Sequence, residues 1–158
     1  MEFPELLRNN KVTMLIYKEL NVLLSDATLS DVISSMNTRE VSYCVIIDKE
    51  TKKLMGIITE SDILVLAEKG IYDKNLNVME FCKNTDFIQV KSNKSIASVV
   101  KRMYRTGFKN VIITNENDEN KVEGVVGVRD FVSHLIEYFP ETVYNVNLSP
   151  TTEDREGA

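Results

Sequence analysis

Apolar residues recur at helical spacing in two stretches of the chain. The four positions of each stretch follow the i, i+3, i+4, i+7 spacing of a helix with one apolar face. They are Leu29, Val32, Ile33 and Met36 in the first stretch, and Ile96, Val99, Val100 and Met103 in the second, each at the same offset from its counterpart. Thr28 and Ser95 stand just before them, and both residue types cap helix N-termini well. The pattern therefore predicts two matching helices.

Shorter apolar runs, rich in Val and Ile, flank each helix and predict strands. One short strand precedes each helix, and a hairpin with a polar turn follows it. The predicted strands are 22–24, 41–47 and 54–58 in the first half, and 87–90, 110–114 and 121–126 in the second. Each half of the chain thus has the order strand, helix, strand, strand.

A seven-residue motif closes each half, Gly-Ile-Ile-Thr-Glu-Ser-Asp at 56–62 and Gly-Val-Val-Gly-Val-Arg-Asp at 124–130. In each motif the glycine permits a turn into the strand or a close approach of the backbone. Two β-branched residues then favour a buried strand, and the last four positions predict a helix N-terminus. The offset between the motifs exceeds that between the helices by one, so the second hairpin loop has gained a residue. Similarity at a long, nearly constant offset indicates one supersecondary unit used twice.

Breaks in this pattern divide the chain into units. Gly70 and Pro140 are placed to end the last helix of each repeat, and Pro4 is placed in the first turn of a short N-terminal helix. The polar end of the chain, 151–158, is predicted to be disordered. The predicted units are a helical segment at 1–10, a first repeat at 11–70, a linker at 71–77, a second repeat at 78–139 and a C-terminal extension at 140–158.

Composition narrows the possible classes of protein. The chain has 158 residues, 43% of them hydrophobic and 27% charged, enough for one compact domain or for two small repeats that share a core. No apolar run approaches the ~18 to 20 residues of a membrane-spanning helix, and the N-terminus lacks an export signal. We therefore expect a soluble, cytoplasmic protein. A net charge of −5 disfavours nucleic acid as a partner, because that binding depends on Lys and Arg.

Residues suited to catalysis or metal binding are few. Cys44 and Cys82 lack the spacing of a zinc or redox site and are predicted to be reduced, packed thiols. His134 has no second His or Cys near it in sequence and is predicted to be structural. The sequence shows no nucleophile beside its base and no phosphate-binding loop. We expect neither an enzyme nor a metal site.

The element order, together with the motif Gly-Ile-Ile-Thr-x-x-Asp at 56–62 and its copy at 124–130, resembles the CBS domain family. Two tandem copies resemble a CBS pair. The resemblance implies an α/β (α+β) fold, in which each repeat is a small three-stranded sheet with two helices and the repeats pack with pseudo-twofold symmetry. It also implies a regulatory module that senses AMP, ADP, ATP or a related adenosyl ligand in the clefts between repeats, forms a homodimer and acts on an unidentified protein target.

The same resemblance implies the site residues. The ribose-binding aspartate of the family falls on Asp62 and Asp130, whose carboxylates can accept hydrogen bonds from a ribose diol. The hydroxyl position of the family falls on Thr59, whereas the second copy has Gly127 there.

The position before the aspartate, which is often basic in the family and directed at phosphate, is Ser61 in the first copy and Arg129 in the second. Arg129 is predicted to lie in the first turn of a helix, where a cation is unfavourable unless an anion is near. A surface ion pair would explain the arginine equally well.

Two alternatives stay open. Thr59 and Asp62 also form a capping box, which would account for both residues without any ligand. In the first alternative the chain is an interaction scaffold whose clefts are filled by side chains, which is favoured by Gly127 and by the absence of the family's proline at Val45 and Ile112. The other alternative is a regulatory subunit of an enzyme or transporter.

Overall fold

The structure, a computed structural model, describes residues 3–82 and 86–138. Helices and strands alternate in the same order in both halves. The elements are α1 (Phe3–Asn9), a 3₁₀ helix (Val12–Leu15), β1 (Val22–Leu24), α2 (Leu29–Arg39), β2 (Tyr43–Ile47), β3 (Leu54–Thr59), α3 (Glu60–Glu68), α4 (Val78–Cys82), β4 (Gln89–Lys91), α5 (Ile96–Thr106), β5 (Asn110–Thr114), β6 (Val122–Gly127) and α6 (Val128–Tyr138).

The strands form two three-stranded sheets of the same topology. In the first, β1 runs parallel to β2 and β2 pairs antiparallel with β3, and in the second β4, β5 and β6 repeat that arrangement. The register repeats as well, because Val22 pairs with Val45 and Gln89 pairs with Ile112. The predicted fold class, two tandem repeats each with a three-stranded sheet and helices, is confirmed.

Each sheet is buried on both faces. One face of the first sheet places Cys44 and Ile58 against α2, α3 and α4. The opposite face places Val45 against Ile112 of the second sheet, in a cluster to which both sheets contribute. Alternate strand residues point to opposite faces, and this shared core is reached by Tyr43, Val45 and Ile47 of β2 and by Ile112 of β5. The two repeats therefore fold around one common interface.

The segment that precedes each sheet packs on the other repeat. Val12 and Leu15 of the 3₁₀ helix are buried among residues of α5, in the second repeat. Val78 and Phe81 of α4 are buried among residues of α2, in the first repeat. The sequence limits of the two repeats stay a prediction, but their cores are interlocked.

Two isolated β-bridges show that the repeats exchange their preceding segments with pseudo-twofold symmetry. Lys11 bridges to Ser95, just before α5, and Asn77 bridges to Thr28, just before α2. Both bridges join the start of a crossing segment to the N-cap of the helix in the opposite repeat. Equivalent residues thus make equivalent contacts in both directions.

The motif glycines provide room for the crossing segments. Gly56 and Gly124 lie inside β3 and β6, each in the third position of its strand, so the predicted turn at these glycines is wrong. The predicted close approach is confirmed. A Cβ atom at Gly124 would lie 2.7 Å from Cδ1 of Ile16, and one at Gly56 would lie 3.0 Å from Sγ of Cys82.

Helix ends account for the small differences in strand limits. The predicted strand 41–47 begins only at Tyr43, because the Val41 N–H donates to the Met36 carbonyl at 3.1 Å and closes α2. The predicted helix end at Gly107 is confirmed, with φ of 75°, and Gly70, with φ of 73°, follows α3 closely. The predicted stop at Pro140 and the extension 140–158 lie outside the described residues.

We expect Gly124→Ala to lower the free energy of unfolding by about 1–3 kcal/mol, as overpacking of a closed core does. The new methyl group meets three atoms of the Ile16 side chain, so the cost should be smaller in an Ile16→Ala background. Urea denaturation of the wild type, the two single variants and the double variant measures the coupling energy between the two positions. Gly56→Ala is the matched control, because its neighbour is Cys82 and Ile16→Ala should not relieve it. An equal cost of Gly124→Ala in both backgrounds would contradict the packing described here.

Candidate functional site

The two motif aspartates lie where a strand passes directly into a helix. In the first repeat, Oδ2 of Asp62 accepts hydrogen bonds from the Thr59 N–H at 2.7 Å and from the Thr59 hydroxyl at 3.0 Å. In the second, Oδ2 of Asp130 accepts from the Gly127 N–H at 2.7 Å. Both carboxylates are partly buried. The structure therefore gives them the same local position in the two repeats.

Only one oxygen of each carboxylate has a capping role. Within residues 3–82 and 86–138, the hydrogen bonds of Asp62 and Asp130 all end on Oδ2. Their Oδ1 atoms keep their acceptor capacity, since an ionised carboxylate offers about four lone-pair sites. Capping fixes each carboxylate through Oδ2, and Oδ1 takes no part in the cap.

A third aspartate shows how far capping alone explains this arrangement. Oδ2 of Asp31, in the first turn of α2, accepts from the N–H and the hydroxyl of Thr28 at 2.9 and 3.0 Å. This geometry matches that of Thr59 and Asp62, yet Asp31 is exposed and belongs to neither motif. It is the internal comparison against which a ligand role of Asp62 must be tested.

The second repeat has a glycine, Gly127, where Thr59 supplies a hydroxyl in the first, and the space beside this glycine is tight. A Cβ atom at Gly127 would lie 3.0 Å from Oδ1 of Asn110, the residue paired with Gly127 across β5 and β6. In the first repeat the corresponding pair is Tyr43 and Thr59. The two junctions therefore share the aspartate and differ in the groups around it.

Asp130 acts on the opposite repeat. The Tyr43 side chain is 7% exposed and lies in the shared core. Burial raises the pKa of its phenol, the Asp130 carboxylate raises it further, and the Arg39 guanidinium opposes this. Asp130 belongs to α6 whereas Tyr43 and Arg39 belong to the first repeat, so the electrostatic influence of Asp130 on Tyr43 crosses the interface. Tyr43 and Arg39 do not stand out in the sequence, because they resemble an ordinary strand residue and an ordinary helix end.

A buried asparagine holds Tyr43 in place. Asn21 is fully buried, its Nδ2 donates to the Tyr43 carbonyl at 3.0 Å, and its backbone N–H donates to the Tyr43 hydroxyl at 3.3 Å. Ser35 donates its hydroxyl to Oδ1 of Asn21. Such a satisfied polar network is rigid. The second repeat has Ile88 at the position that corresponds to Asn21.

A cavity of about 330 Å³ adjoins this side of the interface. Val41, on its wall, packs with Tyr43 in the shared core, and Arg39, also on its wall, acts on the phenol. The lining residues are Lys18, Glu19, Arg39, Glu40 and Val41. These residues do not stand out in the sequence, because none of them belongs to a motif.

A larger cavity, of about 610 Å³, is lined by neither aspartate, although Ile63, next to Asp62, is on its wall. It is a groove between α2 and α3 of the first repeat, with apolar residues such as Ile33, Leu66 and Tyr72 on its walls. The size of this groove does not make it the ligand site, since none of the predicted site residues at the strand–helix junctions lines it.

The remaining reactive side chains are packed inside. Cys44 and Cys82 are thiols buried in the core of the first repeat, as predicted, and burial raises the pKa of the Cys44 thiol to about 12. Nδ1 of His134, in α6, lies 3.0 Å from the hydroxyl of Tyr17. No group of three or more His, Cys, Asp or Glu side chains among residues 3–82 and 86–138 is arranged to hold a metal ion.

The helices of the described part of the chain are too short or too polar to cross a membrane.

The chain belongs to the CBS domain family, whose model matches residues 14–69 and 78–137. An uncharacterised protein of Methanocaldococcus jannaschii is 30% identical over 128 residues, which are 80% of this chain. The chain spans only 44% of the length of that relative.

Solved structures of CBS proteins share the fold. A CBS domain protein from Pyrobaculum aerophilum, complexed with AMP, has a TM-score of 0.71 at 20% identity, covering 81% of this chain and 97% of that one. A CBS domain pair/ACT domain protein from Thermotoga maritima has a TM-score of 0.60 at 19% identity, covering 82% of this chain and 99% of that one. The predicted recognition of a CBS pair is confirmed.

We expect neither thiol to react with Ellman's reagent at pH 8 in the folded protein. Burial disfavours the thiolate, which is the reactive form, and holds the pKa of Cys44 at about 12. Two equivalents should react after denaturation in guanidinium, which is the control. Rapid reaction of one thiol in the native protein would show that this core opens.

Proposed function

We propose that this chain is a regulatory CBS pair that binds an adenine nucleotide in the clefts between its repeats. The observation that carries the proposal is the paired geometry of Asp62 and Asp130, each fixed at a strand–helix junction through Oδ2 while Oδ1 stays available. A ribose offers two adjacent hydroxyl donors, which suit such an oxygen. The complex of the similarly folded Pyrobaculum aerophilum protein with AMP supports the class of ligand.

The neighbouring groups suit the remaining parts of a nucleotide. Phosphate is favoured at the N-termini of α3 and α6, where backbone N–H groups and the helix dipole attract an anion. In the α6 cleft Arg129 would add a charged donor, and in the α3 cleft Thr59 and Ser61 would add hydroxyls. Adenine would lie against the apolar side chains of the shared core.

Regulation follows from a ligand that touches both repeats. The Asp130 carboxylate of the second repeat acts electrostatically on the Tyr43 phenol of the first, so a ligand bound between the repeats would favour the relative arrangement of repeats that it contacts best. A ligand shifts a conformational equilibrium only by its differential affinity for the two states. The output would be a changed affinity for a protein target.

An interaction scaffold, whose clefts are filled by side chains and hold no ligand, is the second candidate. It is favoured by Asp31, whose capping geometry matches that of Asp62 without any motif around it, and by the missing hydroxyl at Gly127. A thermal-shift series with AMP, ADP, ATP and S-adenosylmethionine separates the two candidates. A ligand at about 100 times its dissociation constant should add about 2.7 kcal/mol of stability, and a scaffold should show no shift with any of the four.

We expect Asp62→Ala and Asp130→Ala each to weaken nucleotide binding in its own cleft by about 10- to 100-fold, the loss of a hydrogen bond to a charged group. Isothermal titration calorimetry with AMP and ATP measures this. Asp31→Ala is the matched control, because it removes the same kind of cap, worth about 0.5–2 kcal/mol of stability, outside the clefts. Wild-type affinity in both cleft variants would refute the ribose assignment.

We also propose a homodimer formed through the outer helices. Leu64 of α3 is 71% exposed and the equivalent Val132 of α6 is 47% exposed, and an apolar groove lies beside α3. Exposed apolar patches of this kind mark contact surfaces.

The doubly substituted Leu64→Lys/Val132→Lys protein should be monomeric in analytical ultracentrifugation, whereas the wild type should sediment at twice its 18.0 kDa mass. Charges buried in an interface without partners are strongly unfavourable. Glu116→Lys, at an exposed hairpin loop, is the control and should leave the dimer intact. A wild-type monomer at micromolar concentration would contradict the proposal.

A further inference from the structure

The outer face of the first repeat has an apolar groove between α2 and α3, with a volume of about 610 Å³. Ile33 and Ile71 lie on its walls and are exposed to solvent. Polar side chains of α2, among them Ser34 and Asn37, also line it. Exposed apolar surface of this kind marks a contact site. The groove is therefore suited to a bulky apolar side chain from outside the repeat.

The second repeat carries a protruding aromatic side chain at the matching place. Tyr104 of α5 is 90% exposed. In the alignment of α5 with α2 it corresponds to Asn37, which lines the groove of the first repeat. Tyr104 therefore stands on the outer face of the second repeat. Because an aromatic side chain can bury about 150–250 Å², Tyr104 has the size and the position to fill a groove on another molecule.

The outer helices of the two repeats also differ in charge. α3 has three acidic residues and no basic one, and the one acidic and one basic residue of α2 cancel. α5 has three basic residues and no acidic one, which outweigh the single excess acidic residue of α6. The segment after α3 adds Lys69, Asp73 and Lys74, which reduces the acidic excess of the first face without reversing it. The first face therefore complements the second face better than it complements a copy of itself.

The charges beside the groove and beside Tyr104 are not neutralised within the chain. Lys101 and Arg105 correspond to Ser34 and Thr38, which line the groove of the first repeat. Both cations are exposed, as is Glu68 in the last turn of α3. Within the described part of the chain, none of these three residues makes an ion pair. They are therefore available to a second molecule.

We propose that two copies of this chain associate head to tail, so that Tyr104 of each copy enters the groove between α2 and α3 of the other. The acidic helix α3 then faces the basic helix α5, and the twofold axis makes this contact twice, which doubles the buried area. A pairing of like repeats would instead set acidic against acidic and basic against basic faces. This inference rests on the proposed homodimer, to which it adds which repeat meets which.

Cross-linking of introduced cysteines tests the pairing directly in the full chain. Ser34→Cys places a thiol at the groove, and Lys101→Cys places one at the equivalent exposed position of α5. In an equal mixture of the two variants, a short bismaleimide should join position 34 of one copy to position 101 of the other, with little 34–34 or 101–101 product. Peptide mass spectrometry identifies the products. Glu116→Cys, at an exposed hairpin loop, is the control and should not be cross-linked.

Charge reversal tests the reason for this pairing. Glu60→Lys/Glu68→Lys and Lys101→Glu/Arg105→Glu should each weaken the dimer at least about tenfold at low salt, because like charges then meet in both contacts. The variant that combines all four substitutions should dimerise within about threefold of the wild type, since the signs of the two faces are exchanged together. A pairing of like repeats would show no such rescue. Sedimentation velocity measures the dissociation constants, and circular dichroism checks that each variant is folded.

The aromatic contact is tested in the same way. Tyr104→Ala should weaken the dimer at least about tenfold, whereas Tyr104→Phe keeps the ring and should dimerise as the wild type does. Predominant 34–34 or 101–101 products, a missing rescue, or a Tyr104→Ala dimer as tight as the wild type would overturn the head-to-tail pairing while the homodimer stands. A wild-type monomer at micromolar concentration would refute the homodimer, and this inference with it.

Discussion

The face-to-face packing of the two small sheets is the constraint on which the rest of the structure depends. A three-stranded sheet with two short helices has little apolar surface to bury and is marginally stable as a separate unit. Here Val45, Ile57, Ile112 and Val125 from the two sheets close one shared core. The crossing segments add to this, because each repeat completes its own core with residues that precede the other. Neither repeat is complete without its partner, and the junctions at Asp62 and Asp130 are held by that mutual dependence.

Much of this architecture could be predicted from the sequence, because it depends on local periodicity and on the repeat. The spacing of Leu29, Val32 and Met36 specifies a helix face, and the copy that begins at Ile96 repeats it, with limits correct to a residue or so. The exchange of the crossing segments could not be predicted. Val12 and Val78 each carry an ordinary apolar signal, and nothing local tells which of two similar cores will bury them. The motif glycines show the same limit. Glycine suits both a backbone turn and a close approach of another segment, so the residue type alone does not tell which of the two occurs.

The residues of the candidate site also differ in whether the local sequence reveals them or only the tertiary packing does. Asp62 and Asp130 belong to a contiguous motif, so the sequence reveals them. Tyr43, Asn21 and Arg39 are scattered, and only the packing of one repeat against the other brings Asp130 to the Tyr43 side of the first. Buried Asn21 has no counterpart in the second repeat, where Ile88 stands. A repeat that preserves the fold can thus diverge in the polar residues that line the interface.

This divergence has a mechanical consequence for the proposed regulation. In a symmetric pair, two identical ligands would bind on both sides of the interface and would favour a symmetric arrangement of the repeats. The polar network of Asn21, Tyr43 and Ser35 belongs to the first repeat, and Tyr17 of the crossing segment contacts His134 of α6. Since α6 also packs against the crossing 3₁₀ helix, a ligand bound at the N-terminus of α6 would act on a helix that is joined to the segment leading into β1. The proposed regulation therefore need not preserve the pseudo-twofold symmetry of the pair.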